Sequence, residues 1–293
     1  MKCIDRKGNI VSESKAQGKA LDFLYKTKIG NKILKILVNP TISKVAGAFL
    51  DSRMSTFLIE PFRKKNNIDL TDFEEQEYTS FNDFFTRKIK SQARPIDMEE
   101  NSLISPCDSS LSVYDITEDG EFVVKNTKYT MESLFRSKKL AKHYEGGKLL
   151  IFRLTVTDYH RFHMIDDGML SKNYRIPGVL HTVNPIANDF TPIYKENTRE
   201  FSFLKSKNFG TVAMMEVGAL MVGRICNYYK HNEPKGMEVM RGMEKGRFEF
   251  GGSTVIIALE KDKAIIDSDI LENSKHNFET KIKMGEKIGK KFK

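Results

Sequence analysis

Four short clusters in this sequence carry side chains able to do chemistry. They are Ser105-Pro106-Cys107-Asp108, Asp158-Tyr159-His160-Arg161-Phe162-His163, Glu216-Val217-Gly218-Ala219 with Val222-Gly223, and Phe250-Gly251-Gly252-Ser253-Thr254. The last points to one reaction. Paired glycines open backbone angles closed to other residues and leave the Gly252 carbonyl uncovered by side chains. The Ser253 hydroxyl follows that carbonyl directly and can attack it, moving the acyl group from nitrogen to oxygen. A neutral hydroxyl needs a histidine to take its proton and an aspartate to hold that histidine, and the partners can lie far apart in sequence.

Taken singly, the other clusters have ordinary readings. An aspartate after Ser-Pro is commonly a turn residue or cap, and the glycine-bearing strand expected over Met215 to Ile225 reads as tight sheet packing. His160 and His163, three apart, would share a metal if they lay on one helical face. Thr155, Val156 and Thr157 before them and the Gly168 turn after them favour a strand end and its loop instead, and in a strand the two rings point to opposite faces.

The elements that must position these groups fall into two regions, 1–95 and 96–293. The first reads as helical from residue 15 to about 92. Tyr25, Ile29, Ile33, Ile36 and Leu37 fall on one helical stripe beside Lys28, Lys32 and Lys35, the pattern of a helix lying in a lipid interface, although Gly30 and Asn31 sit in mid-helix and a stripe packed on the core is the ordinary alternative. Pro40 ends this helix or lies just past its end. Further helices are expected over about Lys44 to Lys65 and Asp72 to Lys90, and Arg94-Pro95 marks the boundary. From Leu103 onward, short segments rich in Val, Ile, Phe and Tyr alternate with turn signals such as Asp119-Gly120, Gly146-Gly147 and Pro177-Gly178. The expected class is α+β, with a β-sandwich or barrel-like core after the N-terminal helices. Val255-Ile256-Ile257-Ala258-Leu259 is expected as a buried strand that begins at the serine motif.

Charge sharpens the picture. Residues 1–65 hold 14 Lys and Arg against 5 Asp and Glu, and their net of +9 equals that of the whole chain. A basic excess confined to one segment suits a local anionic partner, a membrane surface or a nucleic acid, or simply a solvated face. Three scattered cysteines, Cys3, Cys107 and Cys226, show no metal-ligand spacing and fit a reducing, intracellular setting. The N-terminus lacks the apolar stretch of a signal peptide, and no run approaches the ~18 apolar residues that span a bilayer.

In order and spacing these clusters resemble the phosphatidylserine decarboxylase family. The resemblance runs from Ser80-Phe81-Asn82-Asp83-Phe84-Phe85-Thr86-Arg87 and Arg94-Pro95-Ile96-Asp97 to the serine motif. It implies self-cleavage between Gly252 and Ser253 into a β chain (1–252) and an α chain (253–293), with Asp108, His163 and Ser253 as the cleaving triad and His160 serving decarboxylation. It further implies that elimination and loss of ammonia turn Ser253 into a covalent pyruvoyl group, and that phosphatidylserine forms a Schiff base with this group and leaves as phosphatidylethanolamine and carbon dioxide. Two positions depart from the family pattern: Gly251 stands where leucine is common and Ser109 where glycine is, and neither removes a reacting group. The implied partners are phosphatidylserine and an anionic membrane surface, held peripherally on the cytoplasmic side of the cell membrane. No metal and no nucleic acid is implied, and a homodimer is compatible with the resemblance. Two rivals make different predictions. A metal-dependent hydrolase using His160, His163 and Asp108 predicts bound zinc and an intact chain. A basic membrane- or nucleic-acid-binding module predicts that Ser253 is dispensable.

Overall fold

The computed structural model describes residues 2–11, 22–124, 127–183, 187, 190–219, 224–229, 236–251 and 253–292. Gly252, Val222, Gly223 and the start of the expected N-terminal helical stretch lie outside them. The class is α+β, and its centre is an open 11-stranded sheet. In spatial order the middle of that sheet runs Arg199–Ser206, Gly210–Val217, Ser253–Leu259, Lys148–Leu154, Ser109–Asp115, Phe278–Ile282 and Lys2–Asp5. Only the last pair, Lys2–Asp5 with Phe278–Ile282, is parallel among those seven.

Every residue of the Ser253–Leu259 strand is buried. A strand covered on both faces has no need of alternation, which is why its sequence is a continuous apolar run. On one face Val255 and Ile257 join Leu111, Leu150 and Phe152 beneath two three-stranded sheets that contribute Phe162, Phe248, Leu103 and Ile288. On the other, Ile256 and Ala258 pack with Ile151, Met215, Tyr129 and Leu134, and with Leu34 of the N-terminal helix. Each such side chain contributes about 1.5–3 kcal/mol by leaving water. The smaller sheets give the core its sandwich character, and the large sheet does not close into a barrel. The strand expected to reach Ile225 stops at Val217, just before Gly218.

The helix Lys28–Leu37 begins where the Thr27 hydroxyl accepts the Gly30 N–H at 2.9 Å, a side-chain cap for one of the first turn's unpaired donors. Gly30 is required by close approach: a Cβ there would lie 2.0 Å from the Phe23 carbonyl oxygen. Asn31 is equally local in purpose, its amide donating to the Thr27 and Tyr25 carbonyls. This helix packs through Leu34, with Tyr25 and Val38 flanking it, while Ile29 and Ile36 are 68% and 61% exposed. The isoleucine stripe therefore faces outward. Pro40 opens the next helix, Pro40–Asp51, where its fixed φ suits a first helical position.

The 3-10 turn Arg53–Leu58 and the helix Ile59–Asn66 follow. The helix expected over Asp72–Lys90 is confined to Phe81–Phe85. Phe73 instead bridges Ile89 antiparallel, and its ring lies 4.2 Å from the Arg87 guanidinium, so tertiary contacts override helix propensity there. No single helix among the described residues is long and apolar enough to cross a membrane. The bent pair Lys28–Leu37 and Thr41–Asp51 reaches that size by length and composition only.

Replacing Gly30 by alanine should force the helix off its seat. The expected loss is about 1–3 kcal/mol, as for other overpacked sites, seen as a thermal midpoint lower by several degrees. An unchanged midpoint would contradict the close approach.

Candidate active site

Ser253 opens the central strand opposite Leu154 in the neighbouring strand. It is fully buried, and its hydroxyl makes no hydrogen bond. The backbone enters from Phe250 and Gly251, and Gly251 sits at φ 125°, a conformation that disfavours any side chain.

His160 lies just before the strand Arg161–His163 and is fully buried. Its Nδ1 stands 2.8 Å from the Asp158 carbonyl. A carbonyl only accepts, so Nδ1 carries the proton and the Nε2 lone pair is free. Nε2 makes no well-formed hydrogen bond, although the Gly251 backbone lies against the ring and favours its protonated form. The ring also packs on Phe85, with 4.1 Å between centroids. Burial dominates and holds His160 down to about 4, with the neighbouring Arg87 charge adding to the effect and Asp158 opposing it.

Helix Phe81–Phe85 builds this wall. Ser80 caps it by accepting the Asp83 N–H at 3.1 Å, and its phenylalanines meet Phe250, with Phe81 and Phe85 centroids 5.0 and 5.2 Å away. Arg161 locks the histidine strand to the same helix, since its Nε and Nη2 donate to the Thr86 carbonyl at 2.9 and 2.7 Å. His160, Phe250 and the approach to Ser253 thus share one aromatic support.

His163 faces elsewhere. Its N–H donates to the Pro106 carbonyl at 2.9 Å, its ring lies near Tyr159, and its Nδ1 has no partner. It lines a cavity of about 410 Å³ with Arg94, Lys88, Glu244 and Met284. Burial lowers its pKa, opposed by the Glu244 carboxylate. Asp108, expected to hold His163, is instead held by Arg94: Nε reaches both carboxylate oxygens at 2.9 and 3.1 Å and Nη2 donates at 2.6 Å, while the Met284 N–H donates at 2.8 Å. The structure therefore brings His160 to the Gly251 end of the serine strand and joins the His163 and Asp108 segments through the Pro106 carbonyl, but the side chains of Asp108 and His163 are not hydrogen-bonded. Among the described residues no three of His, Cys, Asp and Glu gather as metal ligands would.

Several members of the site escaped sequence reasoning. Arg94 marks a boundary and belongs to the Arg94-Pro95-Ile96-Asp97 motif, neither of which points to its carboxylate partner Asp108. Asp158 reads only as a signal for the strand end and its loop, and its partner Lys281 carries no local signal. Glu216, from the third cluster, is fully buried and accepts from the Lys245 ammonium at 2.8 Å and the Asn227 amide at 3.1 Å. A buried ion pair of this kind is committed to the core.

A family model described as phosphatidylserine decarboxylase matches residues 81–290. The chain is 46% identical to phosphatidylserine decarboxylase proenzyme 2 of Clostridium acetobutylicum over 282 residues, covering 96% of this chain and 94% of that one. It is 43% identical to the phosphatidylserine decarboxylase proenzyme of Clostridium tetani, covering 100% and 99% of the two chains. With that of Fusobacterium nucleatum it shares 41% identity, covering 98% and 96%.

The depressed His160 makes a pH prediction. An unfolded histidine titrates near 6.5, so between there and about 4 the unfolded chain binds a proton that the folded chain does not, and stability falls as pH drops through that window. In an uncut Ser253→Ala chain the urea midpoint should fall between about pH 7 and about pH 5, and His160→Gln should remove part of the fall. An equal fall in both chains would show that His160 is not held neutral by the fold.

Proposed function

The chain belongs to the phosphatidylserine decarboxylase family, and from that premise we infer how its own residues carry the conversion of phosphatidylserine to phosphatidylethanolamine and carbon dioxide. The observation that carries the reading is the placement of Ser253, a buried hydroxyl with no hydrogen-bond partner at the head of a strand whose residues are all buried. The proenzyme cuts itself before this residue. Attack of Oγ on the Gly252 carbonyl moves the acyl group from nitrogen to oxygen. Elimination across the Ser253 Cα–Cβ bond then releases residues 1–252 as a carboxylate, and hydrolysis of the unsaturated residue left behind yields ammonia and a pyruvoyl group at position 253.

The residues present fit that group. Ser253 Oγ and His160 Nε2 are both buried, both without well-formed hydrogen bonds, and both adjoin the Gly251 segment. The pyruvoyl ketone supplies an electrophile for the substrate amine and a sink for the electrons left when carbon dioxide departs. His160, neutral with its Nε2 lone pair free, accepts a proton from the substrate ammonium and returns it to the carbon that lost the carboxylate. By the family resemblance His163 is the base for self-cleavage, with Asp108 its carboxylate partner, a role for which His163 must turn from the cavity that it lines in this structure. In the uncut chain Asp108 rests on Arg94, so pairing with His163 requires the carboxylate to give up part of that grip. Three single variants test the division. Ser253→Ala and His163→Ala should remain single chains. His160→Ala should cut yet turn over slowly, by about 10²- to 10⁴-fold. Normal cutting in His163→Ala, or a block in His160→Ala alone, would exchange the two roles.

The substrate is an anionic lipid, and the outward Ile29, Ile33 and Ile36 beside Lys28, Lys32 and Lys35 form the face that meets it. Each basic residue near an anionic surface adds about 1 kcal/mol. An apolar cavity of about 420 Å³, walled by Phe49 of helix Pro40–Asp51, Leu58, Phe62, Phe81 and Phe250, reaches the residue before Gly251, and its lining is of the right chemistry for acyl chains. Attachment is peripheral, on the cytoplasmic side of the cell membrane, where the free thiols of Cys3, Cys107 and Cys226 are at home. Reversing Lys28, Lys32 and Lys35 to glutamate should weaken binding to anionic vesicles at low salt and leave self-cleavage intact. Unchanged vesicle binding would remove this helix from the membrane contact.

A further inference from the structure

Asp158 takes no part in the chemistry assigned above, yet its buried carboxylate is fully bonded. One oxygen accepts from the Lys281 ammonium at 2.5 Å. The other accepts from the Thr155 N–H at 2.7 Å and the Thr155 hydroxyl at 2.8 Å. The Asp158 N–H closes the same turn on the Thr155 carbonyl at 3.0 Å. From the other side Arg87 donates to the Thr157 carbonyl at 3.2 Å. The turn so fixed ends in the Asp158 carbonyl, the acceptor for His160 Nδ1. The carboxylate thus anchors the peptide that sets which imidazole nitrogen holds the proton.

Lys281 reaches this turn from strand Phe278–Ile282, which is seated between Ser109–Asp115 and Lys2–Asp5. It is half-buried, and besides Asp158 the groups bearing on its charge are Cys3 and Asp108. Position 281 lies in the 253–293 chain and position 158 in the 1–252 chain, so after cleavage the ion pair spans the two.

We propose that Lys281 is a positioning residue for decarboxylation, its ion pair with Asp158 holding the Thr155–His160 turn so that His160 keeps its proton on Nδ1 and its Nε2 free toward the Phe250–Gly251 backbone. The chain that carries the pyruvoyl group thereby orients the proton carrier on its partner chain. This rests on the reading that His160 acts after Ser253 is converted. Removing the half-buried Lys281 ammonium leaves the buried Asp158 carboxylate uncompensated, and a buried imidazole released from its acceptor can take either tautomer.

The test is Lys281→Met beside Lys281→Arg, read in two ways. In the uncut Ser253→Ala background, ring-nitrogen NMR of labelled histidine, with His160→Gln assigning the signal, reports the tautomer. In the self-processed enzyme, kcat and KM are measured after near-UV circular dichroism has shown native packing. Lys281→Met should still cut, lose the fixed Nδ1–H signature of His160, and lose roughly tenfold or more in kcat with little change in KM, as wrong-tautomer variants of other imidazole bases do. Lys281→Arg should keep both the signature and most of kcat. Should Lys281→Met not fold, Asp158→Asn, which keeps an acceptor for the Thr155 donors while ending the ion pair, is judged by the same signals. Unchanged His160 signals with wild-type kcat in the folded variant would overturn the proposal. A wild-type chain that never cuts before Ser253 would overturn the self-processing reading instead, and the tautomer measurement on the uncut chain would stand apart from it.

Discussion

A buried polar atom without a hydrogen bond costs about 1–3 kcal/mol, and this protein keeps Ser253 Oγ and His160 Nε2 in that condition at one end of its central strand. Bulk solvent would satisfy both atoms. The sheet prevents this by placing the serine strand between Gly210–Val217 and Lys148–Leu154, with apolar layers on each face. Such an enclosed strand also explains why cutting the chain before Ser253 need not dismantle it. Ladder hydrogen bonds on both sides and seven buried residues hold the smaller chain where the larger one folded around it.

The same constraint organises the N-terminal helices. Phe85 touches His160, and Phe81 and Phe85 touch Phe250, so the helix that supports His160 also supports the backbone leading to Ser253. Phe62 of the helix Ile59–Asn66 packs edge-on against this group at 5.1 Å from Phe81. Helix Ile59–Asn66 and the approach to Ser253 are therefore joined through one aromatic cluster.

Much of this was legible in the residues themselves. The buried strand at Val255–Leu259 showed as an uninterrupted apolar run, and the paired glycines before Ser253 announced an unusual backbone that Gly251 adopts. The α+β class followed from helical spacing giving way to short β-branched segments, and family membership followed from motif order. What could not be read depended on distant partners. The segment Asp72–Lys90 has helical composition, yet the Phe73–Ile89 bridge and the Arg87 stack hold most of it out of helix. Arg94 looked like punctuation before a proline and is the ligand of the Asp108 carboxylate. Lys281, separated from Asp158 by 123 positions, reaches it only because the sheet order places its strand beside Ser109–Asp115. The direction of the isoleucine stripe was likewise open until Leu34 was seen to take the inward face.

The central claim is that Ser253 is both the point of scission and the source of the reactive carbonyl. Intact mass of the purified wild-type protein under denaturing conditions, before and after a hydrazine that captures ketones, tests it most directly. The account predicts a 252-residue and a 41-residue chain, the smaller lacking a free amino terminus and gaining the mass of one hydrazone. A single unbroken chain that decarboxylates phosphatidylserine, or a small chain that begins with an ordinary serine amine and takes up no hydrazine, would contradict it.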